Sequence, residues 1–300
     1  MSHKPSSNSF DPNFMKDVLK NLPLAKQLLE VKRELMMIKH QSDRQTRILQ
    51  EQFVQQLKNS PKYGDPRHLI HFEGQVYSQN GEDGLISEIF NRIGTTNRHF
   101  VEIGTSTGLE NNTALLVLEG WQGLWVEGDP AANEQAAGHW PEAVGEGRLK
   151  AVTAMVTAEN FQDLLRDNSV PEELDLLSLD IDRNTFHAFE KMDAYRPRLL
   201  ILEYNGVFPL PSQWGIGYKA DEGWDGTHRF GAALKQFEIE ARRKEYTLVS
   251  CDSTGTNAFF VRNDLVGEHF VGPYTTEFHY EPYRQFLVRE MPYPKTPPVQ

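Results

Sequence analysis

The sequence predicts an α/β fold: a doubly wound, mostly parallel seven-stranded sheet of the Rossmann-like kind, preceded by an N-terminal helical extension. Three observations predict it. Residues 98–130 read as strand, glycine loop, helix and strand, with apolar runs at Phe100–Ile103 and Gly123–Val126. Three more apolar runs follow, at Leu149–Val156, Leu174–Leu179 and Arg198–Tyr204, separated by helical patterns. Last come a helix, a strand at Tyr246–Cys251, the turn Asp252–Asn257 and a strand at Ala258–Val261, the pattern of an antiparallel closing strand.

The elements follow in order. Residues 1–13 are polar, carry Pro5 and Pro12, and read as a disordered tail. Residues 14–60 form the extension, helical in pattern from Phe14 to Leu57 with one break at Pro23. Leu28, Val31, Leu35 and Ile38 recur at spacings of three and four, but Ser42 and Gln45 weaken the seam before Leu49 and Phe53. Two readings stay open: a short coiled coil making a homo-oligomer, or a helix folded onto its own domain. Residues 61–285 are the main domain, entered through a Pro- and Gly-bearing linker. Ser78–Gly84 is a polar turn, and Leu85, Ile86, Ile89, Phe90 and Ile93 line the helix after it, with Asp83 a helix-start acid. Asn112 and Thr113 open the helix at Ala114–Leu118, which Gly120 stops. Short helices are expected at Asn133–Trp140, at Glu159–Asp167 behind Thr157 or Ala158, and from Thr185, where His187 is a structural or surface residue. Val207–Gly231, with Pro209, Pro211, Trp214, Tyr218, Trp224 and His228, is too long and aromatic for a plain connection and reads as a binding loop or a plug over the core. Phe230–Lys244 is a helix, and residues 286–300 are a proline-rich tail.

Composition narrows the function. The chain has 300 residues, 39% hydrophobic and 24% charged, as globular domains do. A net charge of −11 argues against nucleic acid or an anionic membrane as main partner. The single cysteine, Cys251, forms no intrachain disulfide, and the N-terminal residues lack a signal-peptide pattern, so a cytoplasmic location is expected. No apolar run approaches membrane-spanning length.

In a doubly wound sheet, ligands bind beyond the carboxyl ends of the strands. Gly104 and Gly108 allow a tight turn and close approach to a ligand there, and Glu127 ends the second strand where an acid accepts hydrogen bonds from a ribose diol. The loop is not GxGxxG; Glu102-x-Gly104-x-x-x-Gly108 is closer to the loop of S-adenosylmethionine enzymes, and acids at 102, 127 and 129 suit a sulfonium cation better than a pyrophosphate. The competing reading is a loop that binds nothing. The fourth strand ends in Asp180-Ile-Asp182 and the fifth in Glu203-Tyr204-Asn205. Carboxylates ending apolar runs call for a cleft, a metal or partners; the alternative is a pair of acids capping the next helix.

From Tyr77 to Val261 the motifs YSQNGEDG (77–84), FVEIG (100–104), NNTALLVLEGWQGLWVEGD (111–129), LDLLSLDID (174–182), RPRLLILEYN (196–205) and GTNAFFVRNDL (255–265) resemble the S-adenosylmethionine-dependent methyltransferases of the FkbM-like group. The resemblance implies a class I fold, S-adenosylmethionine as methyl donor and a sugar, glycan or polyketide hydroxyl as acceptor. It implies that Gln79, Asp83, Glu102, Gly104, Gly108, Glu127 and Asp180 hold the cofactor, and Thr105, Asn112, Thr113 and Asp129 on the same loops are further candidates. Thr107 stands where an Asp is expected, and Arg183-Asn184-Thr185 replaces Gly-Asn-Asp. The expected chemistry is O-methylation, with Asp180, Asp182 and His228 as candidate proton acceptors and Glu203 with Asn205 orienting the hydroxyl. Mg²⁺ bridging these oxygens is a variant. Two other classes compete: a nicotinamide oxidoreductase, for which the loop lacks the fingerprint, and an inactive scaffold oligomerising through residues 14–57.

Overall fold

The computed structural model describes residues 23–288. The expected tail at 1–13, the helical pattern at 14–22 and the proline-rich stretch from 289 on lie outside the described residues. The chain divides into two units at Phe53/Val54. In the first, residues 23–53 belong to one unbroken helix, Pro23–Lys58. Pro23 starts this helix, a position where its missing N–H removes no hydrogen bond. Leu28, Val31, Leu35 and Ile38 on it are each more than half exposed.

The second unit is built on a seven-stranded sheet. Its strands are β1 (His99–Ile103), β2 (Gln122–Glu127), β3 (Leu149–Thr153), β4 (Leu176–Leu179), β5 (Leu199–Glu203), β6 (Tyr246–Cys251) and β7 (Asn257–Arg262), in the spatial order β3-β2-β1-β4-β5-β7-β6. The first five pair in parallel, and β7 runs antiparallel between β5 and β6. This is the doubly wound, mostly parallel, Rossmann-like seven-stranded sheet that the sequence predicts.

Side chains alternate across the sheet, so one strand feeds two cores. Val101 and Ile103 of β1 join Leu177, Leu179, Leu200 and Leu202 on one face. Phe100 joins Trp125, Leu176, Leu199 and Ile201 on the other. Both faces are covered, which explains why the central strands read as continuous apolar runs.

Element bounds depart from expectation where the site lies. β3 stops at Thr153 rather than Val156, because its last partner, Glu127, ends β2; Ala154–Val156 leave the sheet and wall a cavity. The helix expected from Asn133 begins at Pro130, behind Asp129, whose Oδ1 accepts from the Ala131 N–H. The helix expected from Phe230 begins at Leu234, since Ala232 pairs with Gly215 and its carbonyl accepts from Asn205. Among the described residues no helix is long and apolar enough to cross a membrane.

Candidate functional site

The strand order reverses between β1 and β4, and this switch point opens a crevice at the strands' carboxyl ends. Two glycine-loop contacts shape it. The Gly104 N–H donates to Val126 O, and a Cβ at Gly104, whose φ is +85°, would lie 1.8 Å from Asp180 O. The neighbouring strand end by itself therefore requires glycine, and the positive φ makes the tight turn the sequence predicts. Gly108 is a correction: a Cβ there would lie 2.9 Å from both Trp125 and Ala136, so Gly108 packs loop onto helix and lines no cavity described here.

Three cavities meet at this edge. The first, about 320 Å³, is lined by Gly104, Ser106, Glu127, Gly128, Met155, Asp180, Asp182 and Glu222 among others. The second, about 220 Å³, is lined by Gln79, Asn80, Glu82, Glu102, Thr105, Asn111, Asn112, Asp180 and Asn257 among others. The third, about 390 Å³, is bounded by Gln79, Asn80, Asp182, Glu203, Trp224, Phe230, Thr256, Tyr283, Gln285 and Val288. Asp180 is common to the first two, and Asp182 to the first and third. Seven further lining carboxylates, Glu82, Glu102, Glu110, Glu127, Asp182, Glu203 and Glu222, join Asp180, and no Lys, Arg or His among the described residues lines any of the three.

The predicted residues sort into three kinds. Gln79, Glu102, Gly104, Thr105, Asn112, Glu127, Asp180, Asp182 and Glu203 line cavities. Glu127 is placed by backbone: Oε2 accepts from Ser106 N at 2.6 Å and Oε1 from Asp129 N at 2.9 Å. Glu102 is buried and accepts from Asn111 Nδ2, Asn112 N, Thr113 N and Thr113 Oγ1, so its first task is to fold the loop. Burial pushes its carboxyl up to about 7, against those four bonds. Thr105 is buried with its hydroxyl lacking a protein partner.

A second kind holds structure instead. Asp83 Oδ2 accepts from Val76 N, Tyr77 N, Ser78 N and Ser78 Oγ, closing the polar turn; its neighbour Glu82 lines the cavity in its place. Thr113 donates to Glu102 and accepts from the Trp125 indole N–H. Asp129 caps a helix. Asn205 is buried, its Nδ2 donating to His228 O and Phe230 O and its Oδ1 accepting from Val207 N, so it anchors the long loop and orients no ligand. The third kind is His228, which is exposed, lies 6.4 Å from the Phe208 ring and lines none of the three cavities.

Asp180, Asp182 and Glu203 form a trio whose carboxylate oxygens lie within 4.8 Å of one another. Burial pushes Asp180 up to about 6, with Asp182 adding repulsion; burial and the Asp180 charge push Glu203 up as well. Three acids this close hold a shared proton or attract a cation. Asp182 takes a left-handed backbone, φ 52°, as does Ser106 on the facing loop, φ 47°.

The long loop is tied down by residues that follow the fourth strand. Arg183 donates to Gly217 O and lies 3.5 Å from the Glu222 carboxylate, Asn184 Nδ2 donates to Lys219 O, and the His187 ring meets Ile216 O. Tyr218 reaches back to Glu159. The sequence missed Asn80, Glu82, Asn111, Thr256, Asn257, Tyr283 and Gln285; of these, only Asn80, Glu82, Asn111 and the Thr256–Asn257 turn carried a signal, as parts of the quoted motifs.

No family model matches the chain, and no curated protein matches it. Among solved structures it is similar to an O-methyltransferase from Bacillus cereus in complex with SAH, at 16% identity over 72% of this chain and 89% of that one, TM-score 0.41. It is similar to a putative caffeoyl-CoA O-methyltransferase from Staphylococcus aureus, at 14% identity over 72% and 99%, TM-score 0.42. It is also similar to the magnesium protoporphyrin IX methyltransferase of Synechocystis PCC 6803 with bound SAH, at 14% identity over 60% and 81%, TM-score 0.41. Likeness this slight assigns no activity to the chain.

Proposed function

We propose that the chain is an S-adenosylmethionine-dependent methyltransferase acting on a hydroxyl of a sugar, glycan or other polyhydroxyl acceptor. The observation that carries this reading is the charge of the crevice: carboxylates from successive strand ends, and no basic side chain lining it. A dinucleotide brings a pyrophosphate, which such a field repels. S-adenosylmethionine brings a sulfonium and an ammonium. For its one carboxylate, the buried Thr105 hydroxyl is an unpaired donor on the second cavity. Glu127 suits the ribose, because each oxygen accepts one backbone N–H and keeps a lone pair for the diol. The nucleoside then takes the first cavity and the amino-acid end the second, which brings the sulfur beside Asp180.

The donor supplies an already activated methyl group, whose C–S bond breaks as the acceptor oxygen bonds to carbon. This chain's residues align the oxygen and remove its proton. Asp182, on the border of the first and third cavities, takes the proton, and Glu203 within the third orients the hydroxyl. A second reading rests on the same trio: three close carboxylates suit a hard divalent cation such as Mg²⁺, which would acidify the hydroxyl. Turnover unchanged by EDTA removes that reading.

The reading extends to self-association through the helix Pro23–Lys58, whose Leu28, Val31, Leu35 and Ile38 lie open at coiled-coil spacing. The test of the whole is transfer of labelled methyl from S-adenosylmethionine to a panel of neutral glycosides. Binding of the donor without transfer to any acceptor favours the inactive scaffold; binding of NADH in its place favours the oxidoreductase.

A further inference from the structure

The third cavity has a composition unlike the other two. Its rim carries two exposed aromatic side chains, Trp224 and Tyr283, 56% and 42% exposed, with the half-buried Phe230 beside Trp224. Exposed aromatics gathered on one cavity mark a ligand surface. Trp224 is held through its side chain and Tyr283 through its backbone. The Trp224 indole N–H donates to Thr227 O at 2.6 Å and its ring stands edge-on to Phe230 at 6.2 Å. The Tyr283 N–H donates to Gly206 O at 3.0 Å, and the preceding Glu281 is bound by Lys62, Tyr63 and Arg284. Gln79, Asn80 and Gln285 add amide groups that both donate and accept. Asp182 and Glu203 are the charged side chains among its lining residues, and both are acids.

We propose that this chamber is the acceptor subsite, that Trp224 and Tyr283 clamp the acceptor ring, and that Asp182 with Glu203 confines it to acceptors carrying no phosphate or carboxylate near the methylated hydroxyl. The inference rests on the methyltransferase reading. The chamber's size, about 390 Å³, admits a single ring with its substituents. Amide groups and carboxylates pair with neutral hydroxyls, whereas an anion here meets acids alone and no counter-charge. It follows that a sugar reaches this site after its phosphate or nucleotide has left, so the supplying reaction is glycosyl transfer or phosphate-ester hydrolysis.

The test uses the full chain saturated with S-adenosylhomocysteine. Saturation-transfer NMR titrations compare methyl α-glucoside, glucose 6-phosphate and glucuronate. The expected result is saturable binding of the glucoside, at least tenfold weaker binding of both anions, and loss of the glucoside signal in Trp224→Ala and in Tyr283→Ala with S-adenosylhomocysteine affinity unchanged. Equal or tighter binding of either anion overturns the proposal. So does the absence of saturable glucoside binding, or glucoside binding that survives both substitutions. A wild-type chain that fails to bind S-adenosylhomocysteine fails the cofactor reading instead.

Discussion

Glu127 and Asp182 occupy different places in the crevice, and their removal separates binding from chemistry. Glu127→Ala leaves Ser106 and Asp129 N–H groups to water and takes away the ribose acceptor. The expected loss in S-adenosylhomocysteine affinity is ten- to a hundredfold, about 1.5–3 kcal/mol, read by calorimetry. Asp182→Asn keeps the shape and removes the proton acceptor; kcat should fall by roughly 10²–10⁴ with little change in cofactor affinity. The pH profile adds a sign. A base whose pKa is raised is protonated at low pH, and burial with the Glu127 charge raises Asp182 above the usual carboxylate range. Transfer should therefore rise as pH climbs out of the acid range and level off above it; a flat profile from about pH 4 to 8 contradicts the role. At this scale the sequence was legible where an apolar run ended in an acid, as at Asp180, Glu203 and Glu127. It was not legible where an acid's partners come from its own loop: Asp83 and Glu102 look alike in the motif, yet four local donors close the turn on one and four fold the glycine loop onto the other.

Elements are also held by buried polar groups to which the sequence assigned no role. Asp175, at the entry to β4, is 0% exposed and accepts from Thr96 N, Thr96 Oγ1, Asn97 N and Arg98 N, which fixes the entry to β1. Asp175→Ala strips those donors of their shared acceptor, and the expected destabilisation is about 1–3 kcal/mol, measured as a lower denaturation midpoint with unchanged m. The segment after β7 docks through a buried histidine pair. His68 and His279 lie with ring centroids 5.8 Å apart, and ring nitrogens on both lack a protein partner. Burial, with Lys62 and His71 adding repulsion, holds His68 down to about 4, and burial, with His68 and Lys62 adding repulsion, holds His279 down to about 3. Their folded pKa values lie below the unfolded one near 6.5, so the unfolded chain binds more protons between those limits. Their contribution is complete above about pH 6.5 and is lost as pH falls toward 4 and 3, at up to about 1.4 kcal/mol per pH unit for each ring. Glu102 and Asp180, raised in the fold, act in the opposite sense, so the difference between wild type and His279→Phe is the quantity to measure. The variant should show a shallower loss of stability from pH 6.5 to 4; parallel curves contradict the assignment. Loop anchoring by Arg183 and Asn184 was equally hidden, because their partners are carbonyls of a loop more than thirty residues on.

At the level of the whole molecule, strand number, order of elements and the antiparallel ending were all legible, since hydrophobic period and turn residues report local structure directly. The spatial order was legible only through the resemblance, because pairing of β1 with β4 leaves no local mark. The extension separates from the sheet unit at Phe53/Val54, which makes its role testable by sedimentation: the full chain should run as an oligomer and a chain beginning at Val54 as a monomer. The central claim is that an acid-lined switch point binds a sulfonium nucleoside. The most direct measurement is calorimetric titration of the full chain with S-adenosylhomocysteine and, separately, NADH. One-to-one binding of S-adenosylhomocysteine is expected, weakened at least tenfold in Glu127→Ala, with no heat from NADH. No heat with S-adenosylhomocysteine, or equal affinity in the variant, contradicts the claim.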